Sequence, residues 1–503
     1  MQQETIIHWA DVIAQNVSGN QVIATGITPS GNIHIGNMRE VVTADAVLRA
    51  INDVGKEARL IYVADTFDPL RTVYPFLPDI YKKYVGWPIS EIPDPVGCCE
   101  NYAEHYLKPF LDSLEELGIQ AELFRADEMY KSGAYTAAIK LALEKRDLIA
   151  KIIEDVSGRE LPPEWSPFNP LCSSCKRITA GVVLEHMPEI TSVTYRCACS
   201  GKGVANYSKG EGKLAWRIDW AARWSILGVT IEPFGKDHAV AGGSYDTGMR
   251  ISKEVYAFEP PRPIPYGHIH LKGKGKMSSS KGVTITIKEM LDAVPADVLR
   301  YMIIKRKPEK LIDFDPGLGL LNLIDEFDSG NDRAYELSRV VGIKSSVPFR
   351  HMVTAVQMAP NFDELLTVLK RGGFDVSDIN SIKLRAKNAK TWLDRFAPPF
   401  VKFTVQDHLP VLTQTLTLDQ KKVLSQLADV METGVDNAEQ LHNAIYEISE
   451  LIGIDPKDSF KSIYIAFLGI SSGPRAGWFL ASLKKDFVIC RLKEAAEVLN
   501  FNG

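Results

Sequence analysis

No run of about 18 apolar residues occurs in the chain, so no membrane-spanning helix is expected. The opening MQQETIIHWADVIAQ has neither a basic leader nor an apolar core. It reads as a short, partly acidic amphipathic helix, and no signal peptide is expected. Charge of one sign is also missing: 58 Lys and Arg against 63 Asp and Glu leave a net −5. A polyanion would therefore meet a local basic patch and not the chain as a whole. Low-complexity tracts and internal repeats are absent. Cysteine is scarce: there are seven, an odd number, and four of them cluster. That pattern points away from a disulfide scaffold and toward a reducing compartment with a metal site. What remains is a protein of ordinary composition, 45% hydrophobic and 24% charged, expected in the cytoplasm. Its 503 residues are too many for one core and suit about three or four domains.

The first segment alternates strands and helices. NQVIATGI (20–27), EARLIYVAD (57–65) and IQAELFRAD (119–127) read as strands. Residues 35–50, 101–118 and 133–157 read as helices, the last as one long helix. Such alternation argues for a parallel sheet with crossover helices. Residues 159–215 break the rhythm with five prolines and the clustered cysteines, and read as an insertion. The rhythm resumes with WRIDWAARWSILG, VTIEPFGKDH and IPYGHIHLKGKGKMSSSKG. Beyond Asp328 strand signals fade, and 361–371, 380–396, 418–433, 437–452 and 475–499 read as helices. The expected divisions are 1–158, 159–215, 216–328 and 329–503.

Two stretches suggest phosphate chemistry. In GITPSGNIHIGNMRE (26–40) a strand ends near Ile27, the chain turns, and a helix starts near His34. A helix N-terminus after a parallel strand offers N–H groups and a partial positive charge to an anion, at the sheet end where such folds bind ligands. Gly36 leaves a flat surface in the first turn, and His34 is placed to donate to a phosphate oxygen. The glycine spacing is not that of a dinucleotide fingerprint. In LKGKGKMSSSKG (271–282), Lys272, Lys274, Lys276 and Lys281 crowd a Gly-rich loop. Their mutual repulsion suits a visiting anion such as a leaving pyrophosphate; the plainer reading is a solvated basic loop.

Together these stretches resemble the two signatures of class I aminoacyl-tRNA synthetases: HIGN (34–37) is similar to HIGH, and KMSSS (276–280) to KMSKS. Asn37 replaces the second histidine, and Ser279 the second lysine. The closest resemblance is to the class I lysyl-tRNA synthetases. It is carried by GITPSGNIHIGNMRE, ADTFDPLR (64–71), WRIDWAARW (216–224), FGKDHAVAGGSYDTG (234–248), KGKGKMSSSKG and GPRAGWFLASL (473–483). It implies an α/β fold: a Rossmann-like catalytic domain, an inserted zinc-binding region that holds the tRNA acceptor end, and an all-helical anticodon-binding domain. It also implies ATP as substrate with Mg²⁺, lysine and tRNA(Lys) as partners, and activation that depends on tRNA. A monomer without DNA or membrane partners is expected. His34 and Lys276 are the implied catalytic residues, with Gly36, Asn37, Asp237, Ser278, Ser279 and Lys281 joining them at ATP.

The related glutamyl enzymes open this motif with an arginine, as in RFAPSPTG. Matching the final glycines puts Ala24 at that arginine. A glutamate pocket without its cation would bury an unpaired charge, which costs several kcal/mol. A lysine pocket needs an apolar slot and acceptors for the ammonium. The resemblance implies Gly26, Thr28, Trp216, His238 and Tyr266 as its lining. Trp216 and Trp220 suit the stem or a cation–π contact, whereas Trp224 reads as core. Asp65, Asp68 and Asp219 are candidate counter-charges, with Arg223 as an alternative partner for Asp219.

Cys172-x2-Cys175 followed by Cys197-x-Cys199 suits a four-thiolate, structural zinc site. Free thiols, or a site completed by His186, are the alternatives. Cys98, Cys99 and Cys490 read as ordinary buried or partly buried cysteines. For tRNA, KRKPEK (305–310) and the C-terminal Arg475, Lys484, Lys485, Arg491 and Lys493 are candidate patches. The competing functions are a glutamyl-type synthetase, a tRNA-independent nucleotidyltransferase, and an inactive tRNA-binding relative.

Overall fold

A computed structural model describes residues 7–277, 285–340 and 345–497. The chain forms two compact units. The first comprises Met1–Leu291, Ala296–Phe314 and Asn331–Val340; the second comprises Asp292–Pro295, Asp315–Gly330 and Val341–Gly503.

In the first unit α1 (Trp9–Gln15) precedes β1 (Gln21–Ile27), α2 (Ile35–Asp53) and β2 (Ala58–Ala64). Then come α3 (Tyr102–Glu116) and β3 (Glu122–Arg125). The expected long helix over 133–157 is two helices. After α4 (Ala126–Lys131), α5 (Thr136–Glu144) stops where Lys145 leaves helical geometry at φ −100°, ψ 24°, and α6 (Arg146–Ser157) follows. The insertion carries β4 (Phe168–Pro170), β5 (Gly181–Met187), β6 (Ser192–Cys197), β7 (Lys202–Asn206) and β8 (Gly212–Leu214). β4 pairs with β8, and β5, β6 and β7 form an antiparallel sheet. Next come α7 (Trp216–Leu227), β9 (Ile231–Gly235), α8 (Ser244–Glu254) and β10 (Arg262–Tyr266).

The central sheet runs β10-β9-β1-β2-β3, and every pairing is parallel. β1 is the pivot. The chain first builds outward through β2 and β3, then returns to place β9 on the other side, with Ile23 beside Ile231. Connections leave in opposite directions at the β1/β9 seam, which opens a crevice at the strands' carboxyl ends. The strands are apolar because both faces are covered: Ile23, Ala24, Ile61, Val63 and Ile231 are all buried.

The second unit is helical among its described residues. Its helices include Phe362–Arg371, Ile379–Arg395, Leu418–Glu432, Ala438–Ile452 and Pro456–Leu468. The expected helix over 475–499 is two, Ala476–Ser482 and Lys485–Glu497, because Leu483 is extended at φ −80°, ψ 169°. No helix among the described residues is long and apolar enough to cross a membrane.

Candidate active site

At the β1/β9 seam lies a cavity of about 610 Å³. Gly26, Thr28, His34, Gly36, Asn37, Trp216, Asp237, His238, Tyr266 and Lys276 all line it, so the described candidates from both sequence stretches meet in one place. Ser278, Ser279 and Lys281 lie outside the described residues.

His34 is the N-cap of α2. Its Nδ1 accepts from the Gly36 N–H at 3.1 Å, while Asn37 Oδ1 accepts from the His34 N–H at 3.2 Å. The accepting Nδ1 leaves the proton on Nε2. Burial lowers the ring's pKa to about 4, so His34 is a neutral donor. A Cβ on Gly36 would lie 2.8 Å from the His34 ring, so only glycine leaves room for this cap. The expectation of free N–H groups at this helix end is corrected here. The Gly36 N–H is taken by His34 Nδ1, Ile35 N–H by Ile285 O, and Asn37 and Met38 N–H by His34 O. What faces an anion is the imidazole Nε2–H and the Lys276 ammonium.

Lys276 Nζ lies 3.3 Å from Asp237 Oδ2 and 3.1 Å from His268 Nε2. Burial pushes the Asp237 carboxyl up, but His268 and Lys276 outweigh it and hold it below its ordinary value.

The floor carries three aspartates, each already paired. Asp68 accepts from Lys213 at 2.5 Å and from the Thr28 hydroxyl at 2.8 Å. Asp219 meets Lys213 at 3.1 Å and Arg223 at 3.3 Å, and accepts from the Tyr130 hydroxyl. Asp65 meets Arg223 at 2.5 Å. The candidate counter-charges are thus spent on two internal cations, and the Arg223 alternative for Asp219 is the one the fold adopts.

Two other carboxylates line the cavity without an ion-pair partner among the described residues. Glu40 accepts from the Gly26 N–H at 2.8 Å and from the Tyr266 hydroxyl at 2.7 Å. Glu232 accepts from the indole N–H groups of Trp220 at 3.0 Å and Trp224 at 2.5 Å. Burial raises Glu40 to about 8 and Glu232 to about 7. Sequence reasoning missed both. Their signal was an acid at a position that periodicity makes apolar: Glu40 on the buried side of α2, Glu232 inside the buried strand β9. Above them Trp216, Trp220, Phe234 and His238 form an aromatic wall, with ring centroids 5.3 to 6.4 Å apart. Trp224 is fully buried, as a core residue should be.

In the insertion, the Cys172, Cys175, Cys197 and Cys199 sulfurs cluster within 4.8 Å. Tetrahedral zinc with bonds of about 2.3 Å separates its sulfurs by about 3.8 Å. The Cys172–Cys199 and Cys175–Cys197 separations are 3.7 and 3.6 Å. A Cβ on Gly201 would lie 3.2 Å from Cys199 Sγ and 3.4 Å from Cys172 Sγ, so glycine keeps the cradle open. These residues fit the ion. His186 is not part of the cluster; its Nε2 lies 3.2 Å from the Tyr207 hydroxyl.

Cys98 and Cys99 are not ordinary core cysteines. With Asp94 and His105 they form a second cluster whose ligand atoms lie within 4.8 Å of one another. The Cys98 to Cys99 sulfur distance is 3.6 Å, and His105 Nδ1 lies 3.2 Å from Cys98 Sγ and 3.0 Å from Asp94 Oδ1. The adjacent cysteines, with an aspartate before them and a histidine after, were the signal available in the sequence. Cys490 is exposed. Arg491 leaves the candidate tRNA patch: it is buried, and its guanidinium donates to the carbonyls of Gln406, Asp407 and Ala466.

Residues 7–347 match the family model described as tRNA synthetases class I (K). The chain is 52% identical to lysine–tRNA ligase 1 of Methanosarcina acetivorans, over 97% of this chain and 98% of that protein. It is 47% identical to the lysine–tRNA ligase of Archaeoglobus fulgidus, over 97% of this chain and all of that protein, and 41% identical to that of Thermoplasma acidophilum, over 97% and 98%.

Proposed function

The chain belongs to the tRNA synthetases of class I (K), and we infer that it acts as a lysine–tRNA ligase, joining L-lysine to the 3′ end of tRNA(Lys) at the expense of ATP. One observation carries the choice of amino acid: two buried carboxylates, Glu40 and Glu232, face a cavity whose buried cations, Lys213 and Arg223, are already paired with aspartates. Such a site attracts an ammonium and repels a carboxylate side chain.

Lysine lies with its stem against the aromatic wall and its α-carboxylate toward His34 and Lys276. The carboxylate oxygen attacks the α-phosphorus of ATP, and pyrophosphate leaves. A terminal hydroxyl of the tRNA, the 2′ one in this class, then attacks the lysyl-adenylate and releases AMP. The protein forms no covalent bond. His34 donates through Nε2 to a phosphate oxygen without carrying charge, and Lys276 supplies the positive charge that pyrophosphate needs as it departs. Ser278, Ser279 and Lys281, which follow Lys276 in the sequence, are assigned to the same phosphates. Asp237 borders the nucleotide, whose phosphates would carry Mg²⁺ as their counter-ion.

The resemblance to the class I lysyl enzymes supports an activation step that waits for tRNA to complete the site. Cys172, Cys175, Cys197 and Cys199 would hold zinc, which would tie the insertion's two loops together, and the Asp94, Cys98, Cys99, His105 set suits a second ion. Both are structural, and metal analysis of purified protein without zinc would remove them. The insertion meets the acceptor end, and the helical unit meets the anticodon.

The test is aminoacylation and ATP–pyrophosphate exchange with lysine and with glutamate, each with and without tRNA. Lysine charging with exchange only in the presence of tRNA is expected. Charging with glutamate but not lysine overturns the reading. Exchange without tRNA, using a substrate that is no amino acid, would favour a plain nucleotidyltransferase.

A further inference from the structure

We propose that Glu40 and Glu232 form a proton-exchanging pair: the free pocket holds protons on these carboxyl groups, and the single positive charge of the lysine ammonium takes the place of one proton, which leaves to solvent. Glu232 thereby becomes a specificity-determining residue. This rests on the lysine reading above.

The geometry separates these two acids from every other carboxylate of the cavity. Asp65, Asp68 and Asp219 share Arg223 and Lys213. Glu40 and Glu232 are held only by neutral donors: a backbone N–H, a phenol and two indoles. Both are buried where they border the cavity, and the charge of one raises the cost of ionising the other. Of the charged groups facing them, only Arg223 favours ionisation, and only that of Glu232. From the β2 side come the Tyr62 phenol and Asp65. From α7 comes Arg223, committed to Asp65 and Asp219. From α8 and β10 come the Tyr245 and Tyr266 phenols, whose own ionisation burial suppresses. A buried carboxylate with no cation keeps its proton. Each ionised carboxylate still has acceptor capacity beyond its present donors, so an ammonium can replace the proton as the source of compensation.

The sign follows directly. Binding lysine favours an ionised carboxylate, so a proton leaves on binding. Affinity for lysine rises with pH until the free pocket has lost its protons, close to pH 8. Below that point the Michaelis constant for lysine falls by about tenfold per pH unit for the proton displaced. ATP, which does not meet this pair, should show no parallel trend. Norleucine, which keeps the stem and lacks the ammonium, should inhibit no better as pH rises.

The experiment measures steady-state aminoacylation by the full chain, with tRNA, from pH 6 to 8.5. It reads KM for lysine, KM for ATP and the inhibition constant of norleucine, for the wild type and Glu232→Gln. The expected result is a KM for lysine that drops steeply toward pH 8 in the wild type and less steeply in the variant, with the other two constants lacking the trend. A flat lysine KM in the wild type overturns the inference, as does an unaltered profile in a folded variant. Calorimetry of lysine binding to the wild type, in two buffers of different ionisation heat near pH 7, needs no variant: net proton release supports the pair, and none overturns it. Lysine charging with a flat profile sinks this inference alone. Failure to charge lysine at any pH sinks the lysine reading itself.

Discussion

The cavity has two acidic walls built on opposite terms. One is the Asp65, Asp68, Asp219 cluster, threaded by Lys213 and Arg223. The other is Glu40 and Glu232, bonded only to neutral donors. The first wall has a cation against each carboxylate before any ligand arrives, and Asp68 holds the Thr28 hydroxyl. The second is incomplete by one or two positive charges. A buried acid that lacks a cation, beside others that have one, marks a place where a group from outside the chain can complete the site. The contrast separates scaffold from recognition within a single pocket.

The largest effect should come from breaking the complete wall. Lys213→Met leaves Asp68 and Asp219 short of a cation in a dry site, and should cost about 3–5 kcal/mol of stability by denaturant unfolding. A loss well under 1 kcal/mol would mean that the wall is not tightly coupled. Breaking the incomplete wall should act on substrate instead. Glu40→Gln should leave folding nearly intact, yet lower kcat/KM for lysine by about 100-fold or more, as loss of one partner of a buried charge pair does. An unchanged kcat/KM would move the ammonium elsewhere. The smallest effect sharpens the comparison in the absence of substrate. Glu232 has its folded pKa raised to about 7 from an ordinary carboxylate value. The stability it allows is therefore full at acid pH and is lost as pH rises through about 7. Glu232→Gln carries no such penalty. Its unfolding free energy should gain on the wild type between pH 5 and 8, by at most about 3 kcal/mol at the upper end, read as a rising difference in thermal midpoint. A constant difference across that range would count against an uncompensated Glu232.

The legible parts of the site are those that depend on local pattern. His34 at the mouth of a helix, Gly36 beside it and Lys276 on its glycine-flanked loop could be found because turn chemistry and charge crowding are written in neighbouring residues. So could the four insertion cysteines. The strands of the central sheet were legible as buried apolar runs, and the helical C-terminal region as amphipathic periodicity. The two broken helices were not, since Lys145 and Leu483 leave helical geometry without a proline or glycine to announce it. Glu40 stood inside the very stretch that drew attention to His34 and still escaped notice. Its importance lies in Tyr266, far along the chain, and in the amide of Gly26.

By itself the sequence determined the alternation of strand and helix, the order of the nucleotide-facing elements and the kinds of groups that chemistry would use. Which of those groups carry charge, and which are free to meet a ligand, was decided only by the tertiary structure. Protonation depends on through-space distance and on the exclusion of water. The partners that settle it, Lys213 for Asp68, Arg223 for Asp65 and Tyr266 for Glu40, are brought together by the return of the chain to the far side of β1.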